Sequence, residues 1–164
     1  MTVFDATGIN VLIVDDNLHF RTLMRTILRT VGFENVEEAR DGAEGFEVLS
    51  SFEADIAIID WKMDGLDGLE FVRRIRADED SPNKYLPIIM VTGYTEESLA
   101  KAARDAGVND FLGKPISAKS LMSRIVSVFA DEREFIEETN YFGPDRRRGK
   151  KEFKGEERRK PALK

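Results

Sequence analysis

Five residues stand where apolar runs end, and their types suit one reaction. Asp15 and Asp16 follow the run Asn10 to Val14, Asp60 ends the run Asp55 to Asp60, and Thr92 ends Pro87 to Thr92. Lys114 and Pro115 come shortly after the run Asn109 to Leu112. Three carboxylates brought together repel one another and hold their protons more tightly unless a cation sits among them. Magnesium answers that need, because it takes oxygen ligands in octahedral geometry and keeps several waters; two carboxylates, a backbone carbonyl and waters suit it. Asp60, at the end of a buried central strand, is the candidate nucleophile for in-line attack on phosphorus, giving an aspartyl phosphate. Charge then spreads over the equatorial oxygens, where the metal and the Lys114 ammonium neutralise it and the Thr92 hydroxyl donates a hydrogen bond. Singly, each residue has a plainer reading. An Asp at a strand end is usually a solvated terminus, and Asp15 and Asp16 alone read as caps for the helix that follows. The chemical reading rests on all five falling at the same ends of one repeating pattern.

The elements that must position them alternate. Short apolar runs at Asn10 to Val14, Asn35 to Ala39, Asp55 to Asp60, Pro87 to Thr92 and Asn109 to Leu112 read as strands. Between and after them lie helical patterns marked by Leu18, Leu23, Ile27, Leu28 and Val31, by Phe46, Val48 and Leu49, and by Leu69, Phe71, Val72 and Ile75. Leu99, Ala102, Ala103 and Ala106 mark a fourth, and Leu121, Ile125, Val128 and Phe129 a fifth. Gly32 and Gly107 are placed as C-terminal glycines and Ser117 as an N-cap. The fold class expected is α/β, a five-stranded parallel sheet, doubly wound. Ligands of such sheets bind outside the carboxyl ends of the strands, which is where the five residues land.

Composition narrows the function classes. The chain has 164 residues, 41% of them hydrophobic and 34% charged, as expected for one globular domain with an extension. Cysteine is absent, which excludes disulfide and thiol chemistry and fits a reducing cytoplasm. No apolar window is long enough for a membrane span, and Met1 to Asn10 lacks a signal-peptide pattern, so no membrane insertion is expected. The net charge of -6 is uneven: Gly143 to Lys164 holds ten Lys and Arg against four Asp and Glu, leaving an acidic body with a basic tail.

Asp131 to Glu138 is readable as an extension of the last helix. Asn140 to Lys164 is poor in aliphatic residues and dense in charge, and is expected to be disordered when alone. Two of its segments match at a spacing of twelve residues. Tyr141-Phe142-Gly143-Pro144-Asp145-Arg146-Arg147-Arg148 aligns with Phe153-Lys154-Gly155-Glu156-Glu157-Arg158-Arg159-Lys160. Each has an aromatic residue two before a glycine, then an acid and a basic cluster. Arginine can donate in bidentate fashion to guanine O6 and N7 and stack on the base, while Asp145 or Glu157 accepts from the Watson-Crick edge. The plainer alternative is a solvated charged tail or a non-specific polyanion binder.

The motifs Val11-Leu12-Ile13-Val14-Asp15-Asp16, Asp60-Trp61-Lys62-Met63, Asp67-Gly68-Leu69-Glu70, Met90-Val91-Thr92-Gly93 and Phe111-Leu112-Gly113-Lys114-Pro115 resemble those of bacterial response regulator receivers, CheY-like ones above all. The resemblance implies a flavodoxin-like fold over a receiver at 9–130, followed by an arginine-rich extension at 131–164. It makes Asp60 the phosphoacceptor, Asp16 a direct ligand of Mg2+ and Asp15 a ligand partly through water. It also gives Lys62 a backbone carbonyl on the metal, Thr92 the switch hydroxyl, Lys114 the phosphate contact, and Phe111 an aromatic that changes rotamer. The plainer reading of Phe111 is permanent core. A cis Lys114-Pro115 peptide is implied as well. Asp64 departs from the proline usual after Met63, while Lys62 and Tyr94 fill variable positions tied to phosphoryl lifetime.

The tail resembles the extension of the CheY-like effectors called Cle proteins. That likeness implies cyclic di-GMP held by Tyr141, Asp145, Arg146, Arg147, Arg148, Phe153, Glu157, Arg158 and Arg159, and contact with the flagellar motor switch. The whole reads as a single-domain response regulator in the cytoplasm, recruited to the flagellar motor or cell pole, with a histidine kinase or small phosphodonor supplying the phosphoryl group. It catalyses only its own phosphorylation and dephosphorylation. No helix-turn-helix follows residue 130, so sequence-specific DNA binding is not expected. The competing readings are a phosphorelay or kinase-directed receiver with a nucleic-acid-binding tail, and a haloacid dehalogenase. The dehalogenase would want an acid two residues after Asp60, where Lys62 stands.

Overall fold

A computed structural model describes residues 4–63, 67–93, 97–131, 133–138 and 141–145, with side chains described from 101 onward in the fourth helix. Five strands, β1 (Asn10–Val14), β2 (Asn35–Ala39), β3 (Ile56–Asp60), β4 (Ile88–Thr92) and β5 (Asp110–Gly113), pair in parallel in the order β2-β1-β3-β4-β5. Helices α1 (Leu18–Thr30), α2 (Gly42–Leu49), α3 (Gly68–Ala77), α4 (Glu97–Ala106) and α5 (Ala118–Ala130) follow one per strand. This is the doubly wound sheet expected from the alternation.

Alternate strand residues feed opposite faces of the sheet. Leu12, Val14, Ala57, Ile59, Ile88 and Met90 pack with Leu49 of α2, Phe71, Val72 and Ile75 of α3, and Ala103 and Ala106 of α4. Val11, Ile13, Ile56, Ile58, Ile89 and Val91 pack with Met24 and Leu28 of α1 and Leu121, Ile125 and Val128 of α5. Burial on both faces is why β3 and β4 are continuous apolar runs rather than alternating ones. The helices are capped: Asn17, Asp41, Asp67 and Ser117 each accept a backbone N–H of the first turn. Gly32 and Gly107 adopt φ of 112° and 103°, a conformation that favours glycine, as their C-terminal placement implied.

One expectation is corrected. The last helix stops at Ala130, and the chain turns into an antiparallel hairpin, β6 (Phe135–Glu138) with β7 (Tyr141–Pro144). The hairpin lies against the domain. Phe135 and Phe142 meet Tyr85 at ring separations of 5.3 and 5.4 Å, and the Arg76 guanidinium sits 4.9 Å from the Phe135 ring centre. Arg76 is buried. It donates to the carbonyls of Gly107 and Lys84 and to Asn109 Oδ1, and burial lowers its pKa to about 9. Arg133 donates to the carbonyls of Asn109 and Asp145 and so ties both ends of the hairpin to the residue that precedes β5. The expectation of disorder therefore fails for 141–145, because apolar burial there offsets the ordering entropy; for 146–164 it lies outside the described residues.

Candidate functional site

Sheet-like hydrogen bonding continues one step beyond three of the strands. Asp15 N–H donates to Ala39 O, Trp61 N–H to Val91 O, and Lys114 N–H to Thr92 O. These bonds fix the backbone on which the side chains stand. Gly68 is required by close approach: a Cβ there would fall 2.2 Å from the carbonyl oxygen of Asp60. Its N–H donates to Trp61 O, closing the loop behind the aspartate.

The carboxylate oxygens of Asp15, Asp16 and Asp60 lie within 4.8 Å of one another. Asp15 and Asp60 are buried and Asp16 is exposed, so the cluster opens to solvent on one side. Asp15 Oδ1 accepts from Asn17 N–H at 2.8 Å, while Oδ2 is buried without a hydrogen-bond partner. Burial, reinforced by Asp60 and Asp16, raises the Asp15 pKa to about 6. Burial also raises that of Asp60, opposed by Lys114, whose ammonium lies 3.1 Å from Asp60 Oδ1. A buried carboxylate oxygen without a hydrogen-bond partner, on a member of a three-carboxylate cluster, fits a hard divalent cation, and magnesium suits the all-oxygen set. Asp60, Trp61, Lys62, Thr92, Gly93 and Lys114 line one pocket. Register places Asp60 opposite Val91 and Thr92 opposite Gly113, so the hydroxyl-bearing residue and the lysine follow the aspartate in turn along the β3-β4-β5 side of the rim. The Lys114-Pro115 peptide is cis.

Residues 11–126 match the response regulator receiver domain family. The chain belongs to the response regulator receiver family. It is 35% identical over 122 residues to chemotaxis protein CheY-3 of Vibrio cholerae, covering 74% of this chain and 92% of that protein. It is 38% identical over 119 residues to chemotaxis protein CheY of Pseudomonas aeruginosa, covering 73% and 94%. Among solved structures, Vibrio cholerae chemotaxis protein CheY4 superposes with a TM-score of 0.68 at 30% identity, over 73% of this chain and 98% of that one. The receiver domain of the Arabidopsis thaliana histidine kinase CKI1, solved with Mg2+ and BeF3-, gives 0.67 at 29% identity, over 77% and 93%.

The structure thus gathers Asp15, Asp16, Asp60, Lys62, Thr92 and Lys114 of this receiver on one rim. Phe111 is half-buried against the core beside α3 and α4. Asp64 and Tyr94 lie outside the described residues, as do Arg146, Arg147, Arg148, Phe153, Glu157, Arg158 and Arg159. Tyr141 and Asp145 are described, and both differ from the open, ligand-facing placement expected of them. Tyr141 is buried with its hydroxyl donating to Pro144 O, and Asp145 is buried with its N–H donating to Glu134 O.

Sequence reasoning passed over several supports of the site. Arg21 reaches from α1 to donate to the Asp15 carbonyl at 2.7 Å while paired with Glu38. Asn17, rather than Asp15 or Asp16, caps α1. The Phe20 ring lies 4.5 Å from the Lys114 ammonium. Asn17 was legible as a favoured capping type, whereas the contacts of Arg21 and Phe20 join segments far apart in sequence.

Proposed function

We propose that this receiver accepts a phosphoryl group on Asp60, from a histidine kinase or a small phosphodonor, and thereby switches its contact with a protein partner at the flagellar motor switch. The observation that carries the reading is the Lys114 ammonium 3.1 Å from a buried Asp60 carboxylate inside a three-aspartate cluster. Asp60 supplies the attacking oxygen, and the β3 ladder and Gly68 hold its backbone still. Lys114 neutralises charge on the equatorial oxygens, and Thr92, buried in the same pocket, is the hydroxyl assigned to the new phosphoryl group. Asp15, Asp16, Asp60 and the Lys62 carbonyl would hold Mg2+, which supplies charge neutralisation when bound. The CKI1 receiver solved with Mg2+ and BeF3- supports that pairing of metal and anion. Inward movement of Thr92 makes room that Phe111 can fill, changing the face formed by α4, β5 and α5.

The motor switch is favoured as partner because the relatives are chemotaxis proteins. Among the described residues no helix is long and apolar enough to cross a membrane, and the location we assign, the cytoplasm with recruitment to the motor or pole, follows from the chemotaxis relatives. We assign the tail to cyclic di-GMP on its duplicated arginine clusters and its likeness to the Cle extension. With Tyr141 and Asp145 engaged in the hairpin, Arg146, Arg147, Arg148, Phe153, Glu157, Arg158 and Arg159 are the residues left for nucleotide. Calorimetry on the full chain tests this against short RNA. Saturable binding of cyclic di-GMP that survives moderate salt supports it, and indifferent, salt-sensitive binding of both assigns the tail to polyanions.

A further inference from the structure

We infer that Phe20 is a positioning residue for phosphorylation of Asp60, holding the Lys114 ammonium over the reacting carboxylate through the face of its ring. The inference rests on the assignment of Asp60 as phosphoacceptor. The Lys114 Nζ has two partners: Asp60 Oδ1 at 3.1 Å and the Phe20 ring centre at 4.5 Å. Its side chain is 35% exposed, so without the ring the four-carbon stem would be free to carry the charge toward water. A cation over an aromatic face is attracted by the ring quadrupole, more strongly where water is partly excluded.

The ring is itself fixed to the acidic cluster. Phe20 N–H donates to Asn17 Oδ1, Asn17 N–H to Asp15 Oδ1, and Arg21, next along the helix, to the Asp15 carbonyl. The inner side of Phe20 packs on the core beneath α1 and α5. The first turn of α1, the aspartates and the ring therefore form one unit, with the ring 4.5 Å from the ammonium. An aliphatic residue would fill the volume without the attraction.

In the reaction with acetyl phosphate, Asp60 forms the new P–O bond, the bond from phosphorus to the acetate oxygen breaks, and acetate leaves with the electron pair. Lys114 must already stand beside the oxygens on which charge accumulates, and Phe20 lowers the cost of keeping it there.

The experiment compares labelling rates with acetyl phosphate and saturating magnesium in the full chain for wild type, Phe20→Leu, Phe20→Met and Phe20→Tyr. The aliphatic variants are expected to be slower by about 2- to 30-fold, the range of a cation-aromatic contact. The Tyr variant should keep the wild-type rate. In a Lys114→Ala background, Phe20→Leu should have no further effect, since the ring acts through the lysine. NMR gives an independent readout: ring current shifts the Lys114 ε-methylene protons upfield in wild type and Phe20→Tyr, and the shift is lost in Phe20→Leu and Phe20→Met. An unchanged rate in both aliphatic variants overturns the inference, as does a loss that persists in the Lys114→Ala background. If wild type itself takes no label, the Asp60 assignment falls first and this inference with it.

Discussion

Replacing Asp15 with Asn should make the metal-free protein more stable while removing its response to magnesium. Asp15 is 2% exposed, and one of its oxygens has no hydrogen-bond partner. Its pKa rises from 3.8 to about 6. The folded state therefore binds a proton more tightly than the unfolded chain. That contribution is fully present below about pH 4, and it is lost as pH rises through about 6. A shift of about two units corresponds to about 3 kcal/mol at neutral pH, which sets an upper limit because solvent enters the open side of the cluster. Asn keeps the Oδ1 acceptor for Asn17 N–H, removes the charge, and places an amide donor near the Asp60 carboxylate. The expected gain is about 1–3 kcal/mol, which for a domain of this size raises Tm by about 2–10 °C. Urea titrations with chelator and with magnesium, each at pH 5 and pH 7.5, measure it. Wild type without metal should lose stability between the two pH values, Asp15→Asn should lose less, and magnesium should stabilise wild type alone. A metal-free Asn variant less stable than wild type at pH 7.5 would refute the reasoning, since the buried charge would then be compensated by contacts the variant lacks.

Asp60→Asn should abolish acid-labile labelling by acetyl phosphate, and chelation of magnesium should do the same to wild type; a persisting label locates the phosphoacceptor elsewhere. Gly68→Ala drives a methyl into the Asp60 carbonyl, so it should cost about 1–3 kcal/mol in urea and slow phosphorylation as well. Thr92→Ala should still take label but lose most phosphorylation-dependent partner binding, measured by pull-down with and without BeF3-. Phe135→Ala removes a ring that packs on Tyr85, Phe142 and Arg76, and should lower the unfolding free energy by about 1–3 kcal/mol. Arg146→Lys with Arg147→Lys preserves charge but not the planar fork, and should weaken cyclic di-GMP binding at least tenfold by calorimetry.

The receiver was legible in the sequence because its signals are local. Runs such as Ile56 to Asp60 and Ile88 to Thr92 are apolar on both faces and end in polar residues, so strand, burial and rim position can be read together. Gly32, Gly107 and Ser117 mark helix ends through their own backbone preferences. Which groups touch was another matter. That Lys114 serves the phosphoryl site was implied by resemblance, but its distance to Asp60 and its contact with the Phe20 ring depend on the β4-β5 crossover bringing one rim segment near α1.

The hairpin shows the same division most sharply. Phe135-Ile136-Glu137-Glu138 and Tyr141-Phe142 are too short for their periodicity to separate helix from strand. An isolated two-stranded hairpin is also only marginally stable in water. What decides the outcome is the surface it meets: the exposed Tyr85 ring, the buried Arg76 guanidinium and the Gly107 backbone, each from a different part of the chain. No window of sequence contains that surface, since it exists only once α3, α4, β4 and β5 are packed together.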